Sequence, residues 1–281
     1  MKRNKSFTKI PFYFVATPIG NLSEFSNRAI DILNNVDFIA CEDTRVTGVL
    51  LSYYKISKPL ISLFEHNEKE KALEIIKQIQ KGQTGAYVSD AGYPLISDPG
   101  AILVNELLSN DIYISVINGP SALLPALIGS GISTSSFYFR GFLPPKLNLS
   151  FDEESCLRTR KETLIFYESP HRIKKTMSYL YDILGDRKVT LARELTKINE
   201  EYLYGTLKEF LTFDYKTIKG EIVIVVEGST ISNEDIIFEN SKKQVSLLLK
   251  ENYALKEACK IVSLLNNISK NALYRAFLTD K

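Results

Sequence analysis

Short apolar runs rich in β-branched and aromatic residues recur through the first half of the chain: from Pro11 to Ala16, Val36 to Ala40, Leu60 to Leu63, Gly85 to Ser89 and Ile112 to Ile117. Each has the length and composition of a strand. Between them the apolar period changes to that of a helix, as from Glu68 to Gln80, where Ala72, Ile75, Ile76 and Ile79 fall on one face. This alternation predicts a mostly parallel sheet covered by helices. The run from Phe139 to Pro145 reads as a crossing linker, and a second α/β unit follows it. Its predicted parts are a strand from Thr163 to Tyr167, a helix from Pro170 to Leu184, a strand from Val189 to Ala192, and β-rich pieces from Glu201 to Gly205 and Glu221 to Val226. Past Gly228 the pattern turns to short helices, from Val245 to Lys250, Leu255 to Leu265 and Lys270 to Leu278, with Ser269 placed to cap the last. The fold class is therefore α/β, in three units: residues 1–138, residues 139–228, and a basic helical tail over residues 229–281.

Composition narrows the class without changing the outline. The 281 residues are 44% hydrophobic and 24% charged with a net charge of +2, which excludes disorder or coiled coil as the bulk of the chain. No apolar run approaches the roughly 20 residues of a membrane span, and the stretch from Ile10 to Ala16 is too short for a signal-peptide core. Cys41, Cys156 and Cys259 are odd in number and scattered, which speaks against a disulfide framework and a zinc site. His66 and His171 are the only histidines, so no metal site is expected and the cytoplasm is the default compartment. The neutral total hides basic regions. Residues 242–281 carry eight Lys/Arg against three acids, residues 158–175 six against two, and the first nine residues four against none. Such patches fit contact with a polyanion, and equally a solvated surface.

Several polar loops follow predicted strands, on the edge where open α/β sheets bind ligands. Thr17, Pro18, Gly20 and Asn21 form one tight turn. Glu42, Asp43, Thr44 and Arg45 form a second, in which Asp43 also suits the cap of the next helix. The third, Ser89-Asp90-Ala91-Gly92-Tyr93-Pro94 continuing to Ser97-Asp98-Pro99-Gly100, has small residues that let backbone approach a nucleotide-like ligand. Asp98-Pro99 there reads as a helix cap followed by proline in the first turn. Asn118-Gly119-Pro120-Ser121-Ala122 is a fourth loop, and Tyr167-Glu168-Ser169-Pro170-His171-Arg172 a fifth, with Ser169 suited to cap and Pro170 to start its helix. None matches a phosphate-binding or dinucleotide-binding glycine motif, and no Ser/His/Asp arrangement can be assembled from spacing.

Taken in order, these loops, together with His66-Asn67-Glu68, Gly141-Phe142-Leu143-Pro144 and Ala192-Arg193-Glu194-Leu195-Thr196-Lys197, resemble the small-subunit ribosomal RNA methyltransferases of the tetrapyrrole methylase superfamily. The resemblance runs from about Phe12 to Gly228 and resumes at Lys270-Asn271-Ala272-Leu273-Tyr274. It implies two α/β domains with S-adenosylmethionine in the cleft between them. It also implies 2′-O-methylation of a decoding-centre cytidine in 16S rRNA of the small ribosomal subunit, by a homodimer. Carried over by motif, Ser89, Asp90, Ala91, Gly92, Pro94, Pro120, Ser121 and Ala122 face the cofactor, completed by Tyr167, Leu195 and Gly220. Thr17, Pro18, Asn21, Arg45 and Arg172 lie toward the RNA. Three departures stand out: Tyr93 in place of a smaller residue, Asn118 in place of a proline, and an acidic stretch from Leu147 to Leu157 where such proteins are usually basic.

A ribose 2′-hydroxyl is a poor nucleophile near neutral pH, so a neighbouring base would help. The candidates are Asp43 or Glu42, with Arg45 on an adjacent phosphate, and across the cleft Glu168 and His171. Two other readings share these residues: methylation of a corrin or porphyrin precursor, and a non-catalytic nucleotide-sensing or ribosome-binding module.

Overall fold

The computed structural model describes residues 10–230 and 233–279. The basic run of the first nine residues lies outside them.

The first half builds strands β1 (Phe12–Val15), β2 (Phe38–Cys41), β3 (Leu60–Ser62), β4 (Gly85–Val88) and β5 (Ile114–Ile117). They alternate with helices α1 (Asn27–Asn35), α2 (Thr44–Tyr53), α3 (Glu68–Gln80), α4 (Ala101–Ser109) and α5 (Leu123–Gly129). The sheet is wholly parallel, in the order β3-β2-β4-β1-β5. Both faces are covered, which is why β2 and β4 are apolar at every position rather than alternating. One face packs Ala72, Ile75, Ile76 and Ile79 of α3 with Leu103 and Leu107 of α4, and the other packs Ala29 and Leu33 of α1 with Leu51 of α2. Each fully buried Leu or Ile contributes on the order of 1.5–3 kcal/mol.

A second sheet holds β6 (Phe137–Phe142), β7 (Thr163–Glu168), β8 (Lys188–Arg193), β9 (Glu201–Thr206) and β10 (Ile222–Val226), with helices α6 (Phe151–Thr159), α7 (Ile173–Leu184) and α8 (Leu207–Phe210). Its order is β6-β7-β10-β8-β9; only β6 and β7 run parallel. One face packs on α7 through Met177, Leu180 and Leu184. The other receives α5 from the first half: Ala126 and Leu127 meet Ile165, Ala192, Val223 and Val225. That apolar contact joins the two halves.

Some expectations change here. Most of the expected linker from Phe139 to Pro145 is strand β6, whose register shifts between Phe139 and Gly141, so a glycine that suggested a break marks a bulge. Helix α7 starts at Ile173, and the Ser169 carbonyl, not its hydroxyl, accepts from the amides of Arg172 and Ile173. The tail is a three-helix unit, α9 (Asn233–Lys250), α10 (Leu255–Asn266) and α11 (Lys270–Thr279), with its own small core of Val245, Ala258, Cys259, Val262 and Leu273. Helix α9 starts twelve residues before the expected position. Ser269 does accept from the Ala272 amide.

Candidate active-site cleft

The loops at the carboxyl ends of the first sheet are tied to one another before any ligand arrives. Thr17 and Gly92 exchange both backbone hydrogen bonds, at 2.8 and 3.0 Å, and the Thr17 hydroxyl donates to the Ser89 carbonyl at 3.1 Å. The Ser89 hydroxyl donates to the Gly92 carbonyl, and the Asp43 amide donates to Asp90 Oδ1 at 3.2 Å. Thr17 is fully buried, which corrects its assignment to the RNA side: it clasps two loops and has no surface to offer a substrate. Asn21 likewise serves its own turn, accepting from the amide and hydroxyl of Ser23.

Where these loops face the second sheet lies a cleft of about 810 Å³, a volume in the range of small-molecule sites. From the first half it is lined by Glu42, Asp90, Ala91, Gly92, Asp98, Ser121 and Ala122, among others. From the second half come Phe139, Phe142, Tyr167, Glu168, Lys197 and Gly220. Ser89, Pro94, Pro120 and Leu195 are buried and do not line it. The Tyr167 ring stands edge-on to Phe139 and Phe142, with centroids 4.8 and 5.7 Å away, forming an aromatic wall. Lys197 holds the rim together: its ammonium reaches Glu194 at 2.9 Å and Glu221 at 3.3 Å, while its stem lies across Gly20. A side chain at Gly20 would collide with that stem at 2.5 Å, and Gly20 has a φ of +152° that favours glycine as well.

The acids of the cleft are not alike. Asp43 caps α2 through the Arg45 amide and grips the Arg45 guanidinium at 2.5–3.2 Å, which holds its carboxyl down at about 2. It does not line the cleft, and as a proton acceptor it is the weakest of the group. Glu42 does line the cleft. Burial, then the charges of Asp90 and Asp43, push its carboxyl up. Asp98 is pushed up to about 6 by burial and by the charges of Glu42 and Asp90. The sequence pattern marked Asp98 as a helix cap; the actual first cap of α4 is Gly100, and the amide of Leu103 is satisfied instead by buried Glu68 at 2.9 Å. Asp98, beside the Ser89 hydroxyl, lines the cleft.

Across the cleft, Glu168 is fully engaged. It accepts from the Thr176 hydroxyl at 2.5 Å and the Ser169 amide at 2.8 Å, and pairs with Arg172 at 3.4 Å. Arg172 also donates to the carbonyls of Leu143 and Pro144, so its expected place on the RNA is corrected: the guanidinium pins the β6–α6 connection. His171 is exposed and outside the cleft lining. Arg45, whose side chain is 89% exposed, is the guanidinium offered to solvent at this edge. Two of the three departures prove to be partners, since the Tyr93 hydroxyl meets Asn118 Oδ1 and accepts from the Gly119 amide at 3.1 Å. In the acidic stretch, Glu153 closes a capping box with Ser150 and Glu154 accepts from Tyr179 at 2.7 Å, so two of its acids serve the fold.

A cluster of carboxylates facing an aromatic and backbone wall fits a ligand that joins a cationic centre to a flat ring system. Among the described residues no group of His, Cys, Asp and Glu could hold a metal ion, and no helix is long and apolar enough to cross a membrane.

Comparison with known proteins bears on the same residues. The family described as Tetrapyrrole (Corrin/Porphyrin) Methylases matches residues 11–211. A protein of Bacillus subtilis named Ribosomal RNA small subunit methyltransferase I is 42% identical over 273 residues, 94% of this chain and 93% of that one. Its namesake from Pasteurella multocida is 43% identical over 267 residues, 94% and 95% of the two chains. Among solved structures, uroporphyrin-III-C-methyltransferase from Thermus thermophilus superposes with a TM-score of 0.56 at 17% identity, covering 77% of this chain and 93% of that one. A diphthine synthase superposes with a TM-score of 0.57 at 13% identity, covering 80% and 92%. These last two share the fold alone. With matches of this length and identity, the chain belongs to the tetrapyrrole methylase family, in the group of the small-subunit ribosomal RNA methyltransferases I.

Proposed function

We propose that this protein transfers the methyl group of S-adenosylmethionine to the ribose 2′-oxygen of a decoding-centre cytidine in 16S rRNA of the small ribosomal subunit, in the cytoplasm and as a homodimer. The observation that carries the reading is the cleft, with carboxylates on one wall and an aromatic wall opposite, in a chain over 40% identical to rRNA methyltransferases along nearly its whole length. S-adenosylmethionine held there would supply a methyl carbon on a positively charged sulfur. Asp90 and Asp98 suit that charge, Phe139, Phe142 and Tyr167 suit the adenine ring, and Ala91, Gly92, Ser121, Ala122 and Gly220 leave room for close backbone contact.

Most of the rate comes from positioning, because transfer to oxygen needs an in-line approach. Rigid loops clasped through Thr17, Ser89 and Gly92 provide that positioning. Glu42, lining the cleft with a carboxyl raised by burial and by the charges of Asp90 and Asp43, is the acceptor for the hydroxyl proton. Arg45 meets a phosphate. The exposed bases of residues 158–175 and of the tail add contacts that weaken with salt. Apolar surface for the second subunit is offered by exposed Ile128 and Tyr204, which adjoin through the hydrogen bond from the Tyr204 hydroxyl to the Gly129 carbonyl.

The test is incubation with labelled S-adenosylmethionine and small subunits lacking the modification, mapping label by resistance to alkaline cleavage. Label on one decoding-centre cytidine is the expected result. Absence of label on rRNA with cofactor binding intact would overturn the reading in favour of a small-molecule acceptor.

A further inference from the structure

Beside the cleft, between the turn after β1 and the outer face of α2, lies a second cavity of about 260 Å³. We propose that it receives the flipped-out cytosine ring of the target nucleotide and that Asp90 reads the exocyclic amine; this rests on the methylation reading above.

The base and the reacting oxygen hang from adjacent carbons of one ribose, so the base must lodge within a sugar's width of the cleft. Asp90 is the residue that lines both cavities. The remaining walls suit a stacked ring. Leu22, Val46, Val49 and Leu50 are apolar and Tyr53 adds an aromatic ring, with Val49 and Tyr53 74% and 64% exposed at the cavity's mouth. Enzymes acting on a nucleotide commonly hold the extruded base between aromatic and apolar side chains while hydrogen bonds read its pairing edge.

The cavity is built in advance. The Tyr54 hydroxyl donates to the Leu22 carbonyl at 2.5 Å and its ring packs on Phe25 at 5.2 Å, fixing the end of α2 to the turn. A preformed wall spares the ordering cost on binding. The polar wall carries specificity. A carboxylate accepts from the amine of cytosine, whereas uracil presents a carbonyl oxygen at the same position. Arg45, exposed at the start of α2, is placed for the nucleotide's phosphate.

The test compares wild type with Tyr53→Ala, Val49→Asp and Asp90→Asn on unmodified small subunits carrying either cytidine or uridine at the position wild type labels. Methyl transfer and, separately, S-adenosylmethionine affinity by calorimetry are read. Tyr53→Ala and Val49→Asp should each lower kcat/KM roughly tenfold or more, the scale of one lost base stack, with cofactor affinity unchanged. Asp90→Asn should narrow the preference for cytidine over uridine at least tenfold, a change that a purely structural role would not produce. Unchanged kcat/KM in both α2 variants, or an undiminished cytidine preference in a folded Asp90→Asn, overturns the pocket while leaving the methylation reading standing. If wild type labels no cytidine, both readings fall. Should Asp90→Asn fail to fold, the two α2 variants decide alone.

Discussion

An acid followed three or four residues later by an arginine, between a strand and the next helix, occurs on both sides of the cleft, and the two copies have opposite fates. After β2, Glu42 lines the cleft and Arg45 stands in solvent, held only by Asp43. After β7, Glu168 is buried under Thr176 and Arg172, and Arg172 is spent on the Leu143 and Pro144 carbonyls. The first half therefore brings the raised acids Glu42 and Asp98 to the cleft, and the second brings aromatic rings, backbone, and a Glu168 and Lys197 already held by partners. Residue types alone do not separate the two cases; what separates them is whether a neighbouring element supplies partners that use up the charges.

The strongest challenge to that contrast is at the acids. Glu42→Gln should lower turnover by roughly 10²–10⁴ with cofactor affinity nearly unchanged, whereas Asp43→Asn and His171→Ala should lose far less. Equal losses for Glu42 and Asp43 in single-turnover assays would break it. Next comes the arginine pair. Arg172→Met strands a buried carboxylate and should cost about 2 kcal/mol of stability, read as a lower urea midpoint at constant slope. Arg45→Ala should leave the midpoint in place, weaken binding to the subunit, and reduce the slope of log K against log salt by about one.

Asp98 sharpens the comparison through pH. Its carboxyl ordinarily titrates near 3.8 and here near 6, so over that interval the native state holds a proton that the unfolded chain releases. Above pH 6 the ionised group weighs against the fold. Asp98→Asn should accordingly stabilise the protein at pH 8, by about 1 kcal/mol after allowing for partial exposure. The gain should fade as pH falls and vanish at pH 3.5, a trend that thermal melts can follow. The smallest effect is expected at Glu68→Gln, where a neutral acceptor replaces the carboxylate at the Leu103 amide. A loss below about 1 kcal/mol in the urea midpoint is expected, with activity retained.

Much of this was legible in the chain. The strands β1, β2, β4 and β10 are apolar runs bounded by turns, and α3 repeats its apolar residues at helical spacing, so class and element order followed from period alone. The cleft loops were also readable, because small and polar residues directly after a strand have few structural uses. What was misread shares one cause. Asp98 looked like a cap because Asp-Pro often is one, yet the acceptor for α4 comes from Glu68, thirty-five residues earlier in the chain. Thr17 and Arg172 looked available for RNA, and distant carbonyls claimed both. Phe139 to Phe142 looked like a linker until β7 paired with it and made it half of the aromatic wall.

The α/β class, the order of strands and helices, the helical tail and the polar loops after the strands all follow from the chain's own pattern, since periodicity and turn residues act over a few positions. Which polar groups are left to act depends on the tertiary structure: Asp43 lowered by Arg45, Asp98 raised by burial and by Glu42, Glu168 consumed by Thr176 and Arg172. A carboxylate's proton affinity and reach depend on burial and on partners brought from distant parts of the chain, and these are fixed only when the two sheets close on one another.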